Sequence, residues 1–224
     1  MAVAPIHIAA RTRDIETLRR LLEEGVSPDL LGGSFARTPL LYMCDNTDAA
    51  DPVRVACFKL LRDAGANLGA ASGGGITALH YAAAHGDVEI VSLLVESGVN
   101  VNAVISVGST PLHFAAMRNV VDCAEVLLAA GADIDARAED GRRPFDNTLS
   151  HGCRRAWPLF LRAGAEIPTD NTDPYILRVR NAGGFKKYEQ AHLARITAIL
   201  APTPRLPPEM VRKIVEFWLH AGYY

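Results

Sequence analysis

Apolar residues in this chain recur in short bursts at helical spacing, separated by polar segments that carry glycine. The clearest burst is Val88-Glu89-Ile90-Val91-Ser92-Leu93-Leu94, apolar at i, i+3 and i+4, which predicts a helix with one greasy face. Gly98 closes it, since glycine accepts the left-handed conformation in which many helices end. A shorter helix precedes it, with Leu79, Ala82 and Ala83 on its inner side, and Gly86-Asp87 makes the turn between the two. The pattern then starts again. Thr77-Ala78-Leu79-His80-Tyr81-Ala82-Ala83 returns as Thr110-Pro111-Leu112-His113-Phe114-Ala115-Ala116, 33 residues later, and Glu125 to Asp133 supplies the matching second helix. A unit this small buries its apolar face only against the next copy, so the period predicts a stack whose function lies on a surface.

Weaker copies flank these two. Pro5-Ile6-His7-Ile8-Ala9-Ala10 and Leu18 to Gly25 form a first copy, with Asp14 at its inter-helix turn and charged outer positions suited to an end cap. A second copy runs from Thr38-Pro39-Leu40-Leu41 to Lys59-Leu60-Leu61 and onward to Asn67. It is six residues longer than its neighbours, because the polar stretch Asp45 to Pro52 is inserted between its helices. A fifth copy keeps Asp140-Gly141, Pro144 and Arg162-Ala163-Gly164-Ala165, but Pro158 falls in its second helix and should bend or shorten it. The copies lie near 5–37, 38–76, 77–109, 110–142 and 143–167, within an array spanning 1–167. Residues 168–224 form a non-repeat helical region.

These phrases resemble the ankyrin repeat family, through T-P-L-H-x-A-A at Thr110 to Ala116, its variant at Thr77 to Ala83, and the closing Gly-Ala-Asn at Gly65, Gly-Val-Asn at Gly98 and Gly-Ala-Asp at Gly131. The resemblance implies an all-α solenoid of about five helix-turn-helix repeats with projecting hairpin loops, finished by C-terminal capping helices. It also implies a binding scaffold rather than an enzyme, with a protein or peptide as partner.

Composition agrees with that picture. The 224 residues are 49% hydrophobic and only 7% aromatic, as expected where small alanines fill stacked helix interfaces. A net charge of -2 gives nucleic acid no overall pull, so none is expected as a partner. The charge is divided, however. Residues 1–174 hold fifteen Lys/Arg against twenty-two Asp/Glu, leaving -7, and residues 175–224 hold eight against three, leaving +5. No apolar run approaches the length of a membrane span, and Met1-Ala2-Val3-Ala4-Pro5 runs directly into a helical pattern, so neither a span nor a secretory leader is expected. Cys44, Cys57, Cys123 and Cys153 form no C-x-x-C pair, which suits a reducing, intracellular setting: cytoplasm, nucleus or organelle.

His7, His80 and His113 recur at one place in the repeat and raise the question of a metal or a catalytic base. Stacked copies would hold them about one repeat apart, too far for one ion at coordination lengths near 2 Å, so they are read as structural rings bonded inside each loop. Catalytic signatures such as G-x-S-x-G, H-E-x-x-H and G-x-x-x-x-G-K-[ST] are missing from the sequence, and Gly73-Gly74-Gly75 stands where a hairpin tip needs conformational freedom rather than an anion cradle. No cofactor or metal is expected.

The resemblance places binding on the hairpin tips and on the positions just after the paired alanines. Carried onto this chain, that strip holds Phe35, Arg37, Asp45, Ile76, His85, Ser106, Val107, Met117, Arg118, Asp140, Arg142 and His151. Phe35, Ile76 and Val107 are apolar side chains at expected tips, which either bind a partner or pack against the adjacent hairpin. Met117 and Arg118 beside His85 suit a peptide carrying apolar and acidic groups.

Beyond the array, Lys186 to Leu200 places Tyr188, Ala191, Ile196 and Ile199 on one helix face, fit to cover the last repeat. Leu206-Pro207-Pro208-Glu209 then opens a helix that sets Met210, Ile214, Phe217 and Trp218 on one side. This segment, 206–219, is similar to the L-P-x-E opening of F-box and related boxes. That likeness implies an alternative, a substrate-recognition adaptor of a cullin-type ubiquitin ligase, beside the reading of the segment as a terminal cap.

Overall fold

The structure, a computed structural model, describes residues 2–45 and 53–200, and beyond them Pro207, Glu209, Met210 and Lys213. Helices follow in pairs: α1 (Pro5–Thr12) with α2 (Ile15–Glu23), α3 (Pro39–Cys44) with α4 (Val53–Asp63), α5 (Ala78–His85) with α6 (Val88–Glu96), α7 (Pro111–Met117) with α8 (Val121–Ala129), and α9 (Pro144–Ser150) with α10 (Trp157–Arg162). First helices stack on first helices from α1 through α3, α5 and α7 to α9, and second helices stack from α2 to α8. Among the described residues, extended pairing is limited to two isolated antiparallel bridges, Gly32 with Arg37 and Ala71 with Thr77, at the necks of hairpins. The protein is an all-α repeat solenoid. Of the inserted stretch, only Asp45 lies within the described residues.

The core is built from two columns. Ala10, Ala83 and Ala116 are fully buried, and their single methyl groups let neighbouring first helices approach closely. Leu18, Leu61, Leu94 and Leu127 on the second helices are equally enclosed, each contributing about 1.5–3 kcal/mol by leaving water.

The buried histidines tie one copy to the next. Nδ1 of His80 accepts the Thr77 amide at 3.2 Å, and Nε2 faces the Ser109 carbonyl, in the following hairpin, at 3.2 Å. His113 does the same with Thr110 at 3.1 Å and Arg142 at 3.1 Å, and His7 with Ala4 at 3.1 Å and Leu30 at 2.7 Å. A ring nitrogen that accepts an amide N–H carries no proton, so the proton sits on Nε2 and is donated to the carbonyl. Two of the rings also meet an aromatic edge from the next copy, His7 with Tyr42 at 5.1 Å and His80 with Phe114 at 5.4 Å.

Two copies lack the histidine, and charge takes over there. Leu41 occupies its place in the second copy, where Arg54 of α4 instead forms a buried ion pair at 2.6 Å with Asp87, which also caps α6 through the Ile90 amide. In the fifth copy Arg143-Pro144-Phe145-Asp146 replaces Thr-Pro-Leu-His: Asp146 accepts the Arg143 amide at 2.9 Å, and the Arg143 guanidinium pairs with both Asp146 and Glu166. Pro158 acts as expected. A 3-10 turn, Arg154–Ala156, precedes a six-residue α10 with that proline in its first turn.

Hairpins touch through backbone. Gly75 has φ +80, and a Cβ there would lie 3.0 Å from Ile105 Cα; Gly108 repeats the arrangement against Ala138, so both need glycine for space as well as for conformation. Past the repeats, α11 (Pro174–Asn181) and α12 (Phe185–Leu200) form a further pair, with α12 against α10 and with Tyr175, Ile176, Val179 and Phe185 buried. On α12, Tyr188 packs inward as expected, beside the buried Phe185 and stacked on His192, whereas Ala191 is exposed and the Ile199 side chain lies outside the described residues.

Burial pushes the His80 imidazole from its ordinary 6.5 down to about 4. Its folded value lies below the unfolded one, so the bridge contributes fully above about pH 6.5 and is lost as pH falls through about 4, a difference on the order of 3 kcal/mol. Urea unfolding should show the natural chain losing about 3 kcal/mol more than a His80→Gln variant between pH 7 and pH 4. Equal losses would place the ring outside the folding linkage.

Candidate binding surface

The first helices present one further column, the x of the T-P-L-H-x-A-A phrase. It reads Ile8, Tyr42, Tyr81, Phe114 and Asn147 along the stack. In the three central copies every other residue of that phrase is buried, so x is the position these helices leave toward the hairpin side. Ile8 is exposed, and the three aromatic residues are half-buried.

Against this column stands Arg37, at the foot of the first hairpin. Its guanidinium carbon lies 5.4 Å from the centre of the Phe35 ring, 5.6 Å from Tyr42 and 5.8 Å from Tyr81, within reach of the negative ring faces of all three. Asp45, just past the end of α3, pairs with it at 2.5 Å. Tyr81 stacks in turn on His85 at 6.5 Å. Burial and the nearby Asp45 carboxylate push the Tyr81 hydroxyl up, while burial pushes the His85 imidazole down, with Arg118 adding to that effect and Asp45 opposing it. Phe35, Arg37, Tyr42, Asp45, Tyr81 and His85 therefore form one connected neighbourhood across three copies, and Arg118 of the fourth acts on its edge through charge at His85.

The remaining strip residues are placed as follows. Phe35 and Val107 keep exposed side chains, at 59% and 49%, although their carbonyls accept the amides of Gly73 and Glu139 in the next hairpins. Adjacent hairpins are thus joined by backbone, and these two side chains are left to solvent. Ile76, expected at an open tip, is half-buried: its amide donates to the Ser72 hydroxyl at 3.2 Å and its carbonyl accepts the Ser72 amide at 2.9 Å, closing the loop around it. Ser106 is exposed and its amide donates to Gly74. Met117 and Arg118 are exposed at the end of α7. Asp140 and Arg142 pair at 3.6 Å on the fourth hairpin, and the exposed His151 ring donates to Asn147 of its own helix at 2.9 Å.

Arg37 is a correction of a different kind, since it is an occupied cation with only 21% of its side chain exposed rather than an open contact. Tyr42 and Tyr81, which complete its surroundings, were not singled out in the sequence. Their signal was available as the one variable letter of the repeated phrase.

Of the segment similar to F-box openings, Leu206, Ile214, Phe217 and Trp218 lie outside the described residues. Pro207, Glu209 and Met210 are exposed, and the Met210 amide donates to the Pro207 carbonyl at 2.9 Å.

Other chemistry is bounded by the same geometry. Among the described residues no three of His, Cys, Asp and Glu gather to hold a metal, and no helix is long and apolar enough to cross a membrane. All four cysteines are free and buried, and burial pushes Cys44 and Cys123 up to about 12, which keeps both as unreactive thiols.

Residues 4–32 match the ankyrin repeat, and residues 48–138 match ankyrin repeats in three copies. This chain belongs to the ankyrin repeat family. The two matches together span more than half of it, and ankyrin arrays are interaction modules, with protein partners as the general rule. A comparison with curated proteins finds no match. The ankyrin matches end at residue 138, yet α9 stacks on α7 with α10 behind it, so the helix pairing continues beyond the matched residues.

Because Phe35 covers nothing that holds the fold, Phe35→Asp should change the unfolding free energy by less than about 0.5 kcal/mol. A loss of 2 kcal/mol or more in urea would instead make Phe35 a packing residue.

Proposed function

We propose that this ankyrin protein is a non-enzymatic scaffold that binds a peptide or protein segment along the hairpin tips and the adjoining ends of the first helices. The observation that carries the reading is the exposed Phe35 standing over the Arg37, Tyr42 and Tyr81 group, with Tyr81 stacked on His85 and with Met117 and Arg118 exposed at the end of the next first helix. Apolar and aromatic side chains left in solvent beside a few fixed polar groups suit an interface centre, where aromatic, Met and Arg side chains carry most binding energy. The partner would lie across copies one to four, its apolar groups against Phe35 and Met117 and an acidic group near Arg118.

Affinity capture from cells, with quantitative mass spectrometry, tests this. Partners held by the natural chain should fall at least tenfold with Phe35→Asp or Arg118→Glu. They should be retained with Arg19→Glu, a control on the second-helix side between α2 and α4. Unchanged capture by both strip variants would overturn the proposal.

A further inference from the structure

We propose that the pocket formed by the Phe35, Tyr42 and Tyr81 rings with the Asp45 carboxylate binds an arginine side chain of a partner protein, and that Arg37 fills this pocket in the free chain. This rests on the scaffold reading and states what chemistry its central site selects.

The pocket is organised around a positive charge. Three ring faces from three different elements, a hairpin tip, α3 and α5, converge on one guanidinium at 5.4–5.8 Å, and a carboxylate meets it at 2.5 Å. Ring faces and a carboxylate both attract cations, and a planar guanidinium satisfies them together, by stacking and by directed N–H donation. Asp45 is also the C-cap of α3, where the free carbonyl ends of a helix add negative potential.

An anionic group is the wrong guest here. It would have to draw Arg37 from Asp45 and then face the rings with like charge. A neutral guest would leave Asp45 without its partner. Charge on the larger scale agrees, since residues 1–174 carry a net -7 and attract a basic segment.

Arg37 is placed to give way. Its backbone is held by two hydrogen bonds with Gly32, each 2.9 Å, so the hairpin neck stays closed whichever way the side chain points. Only the side chain, already partly in solvent, has to swing. An incoming arginine replaces it like for like, Asp45 is never unpaired for long, and Phe35, exposed at 59%, stands at the open side. A resident side chain that must leave lowers apparent affinity by the fraction of time the pocket is closed, so removing it should reveal the full affinity.

Fluorescence anisotropy with a labelled pentapeptide bearing one central arginine tests this, against the same peptide with neutral citrulline. The natural chain should bind the arginine peptide and not the citrulline one. Arg37→Ala should bind the arginine peptide on the order of tenfold tighter, and adding Asp45→Asn should abolish that binding. If thermal melting shows Arg37→Ala unfolded, Arg37→Gln, which keeps the stem and removes the charge, takes its place with the same expected gain. No gain on removing Arg37, or equal binding of citrulline, overturns the proposal. That negative result together with strip-dependent capture of cellular partners would remove the arginine pocket and leave the scaffold standing, so the two failures are distinguishable.

Discussion

A neutral imidazole wedged between two loops is the constraint on which this stack depends. One nitrogen takes the amide that opens its own helix, and the other gives a proton to a carbonyl of the next hairpin. Both groups are buried and would be costly if left alone. The ring therefore couples the start of one helix to the position of the following copy, and a chain of such couplings fixes the spacing that the alanine column then fills. The substitutions follow the same logic. Where Leu41 removes the ring, Arg54 and Asp87 cross between copies, and where Arg143 and Asp146 replace threonine and histidine, the link is made by charge and extends to Glu166.

This rigid spine determines what the outer surface does. With every other letter of the repeated phrase buried in the central copies, one side chain per copy faces the hairpins there, and its register is inherited from the imidazole links. Tyr42 and Tyr81 arrive one copy apart because Thr38 and Thr77 do, and the hairpin that precedes Thr38 delivers Phe35 and Arg37 against them. The site is thus a by-product of periodicity, specialised by a few letters the repeat leaves open.

Much of the fold was legible in the sequence. The period, the paired helices, the structural role of His7, His80 and His113 and the shortening at Pro158 all follow from local rules of spacing, capping and proline geometry. The site was legible only in part. Phe35, Arg37, Asp45, His85 and Arg118 were marked by position, but their joining was not, because contacts between a hairpin tip and helices of two copies depend on how far the stack advances per repeat. Tyr42 and Tyr81 went unmarked because an aromatic residue at helical spacing reads as core until the direction it faces is known. The buried Arg54 and Asp87 pair had no local signal either. An arginine opening a second helix looks like a solvated residue in one dimension. The inner face of α12 was read correctly at Tyr188 but not at Ala191, which is exposed while Phe185, left out of that face, is buried.

The most direct measurement is long-range nitrogen–proton NMR of the imidazole rings. If the links are as described, His80 and His113 should appear in the native chain at neutral pH as the neutral tautomer protonated on Nε2, with the Thr77 and Thr110 amides among the slowest to exchange with solvent. Rings protonated on Nδ1, or charged imidazolium forms with fast-exchanging threonine amides, would contradict the account at its root.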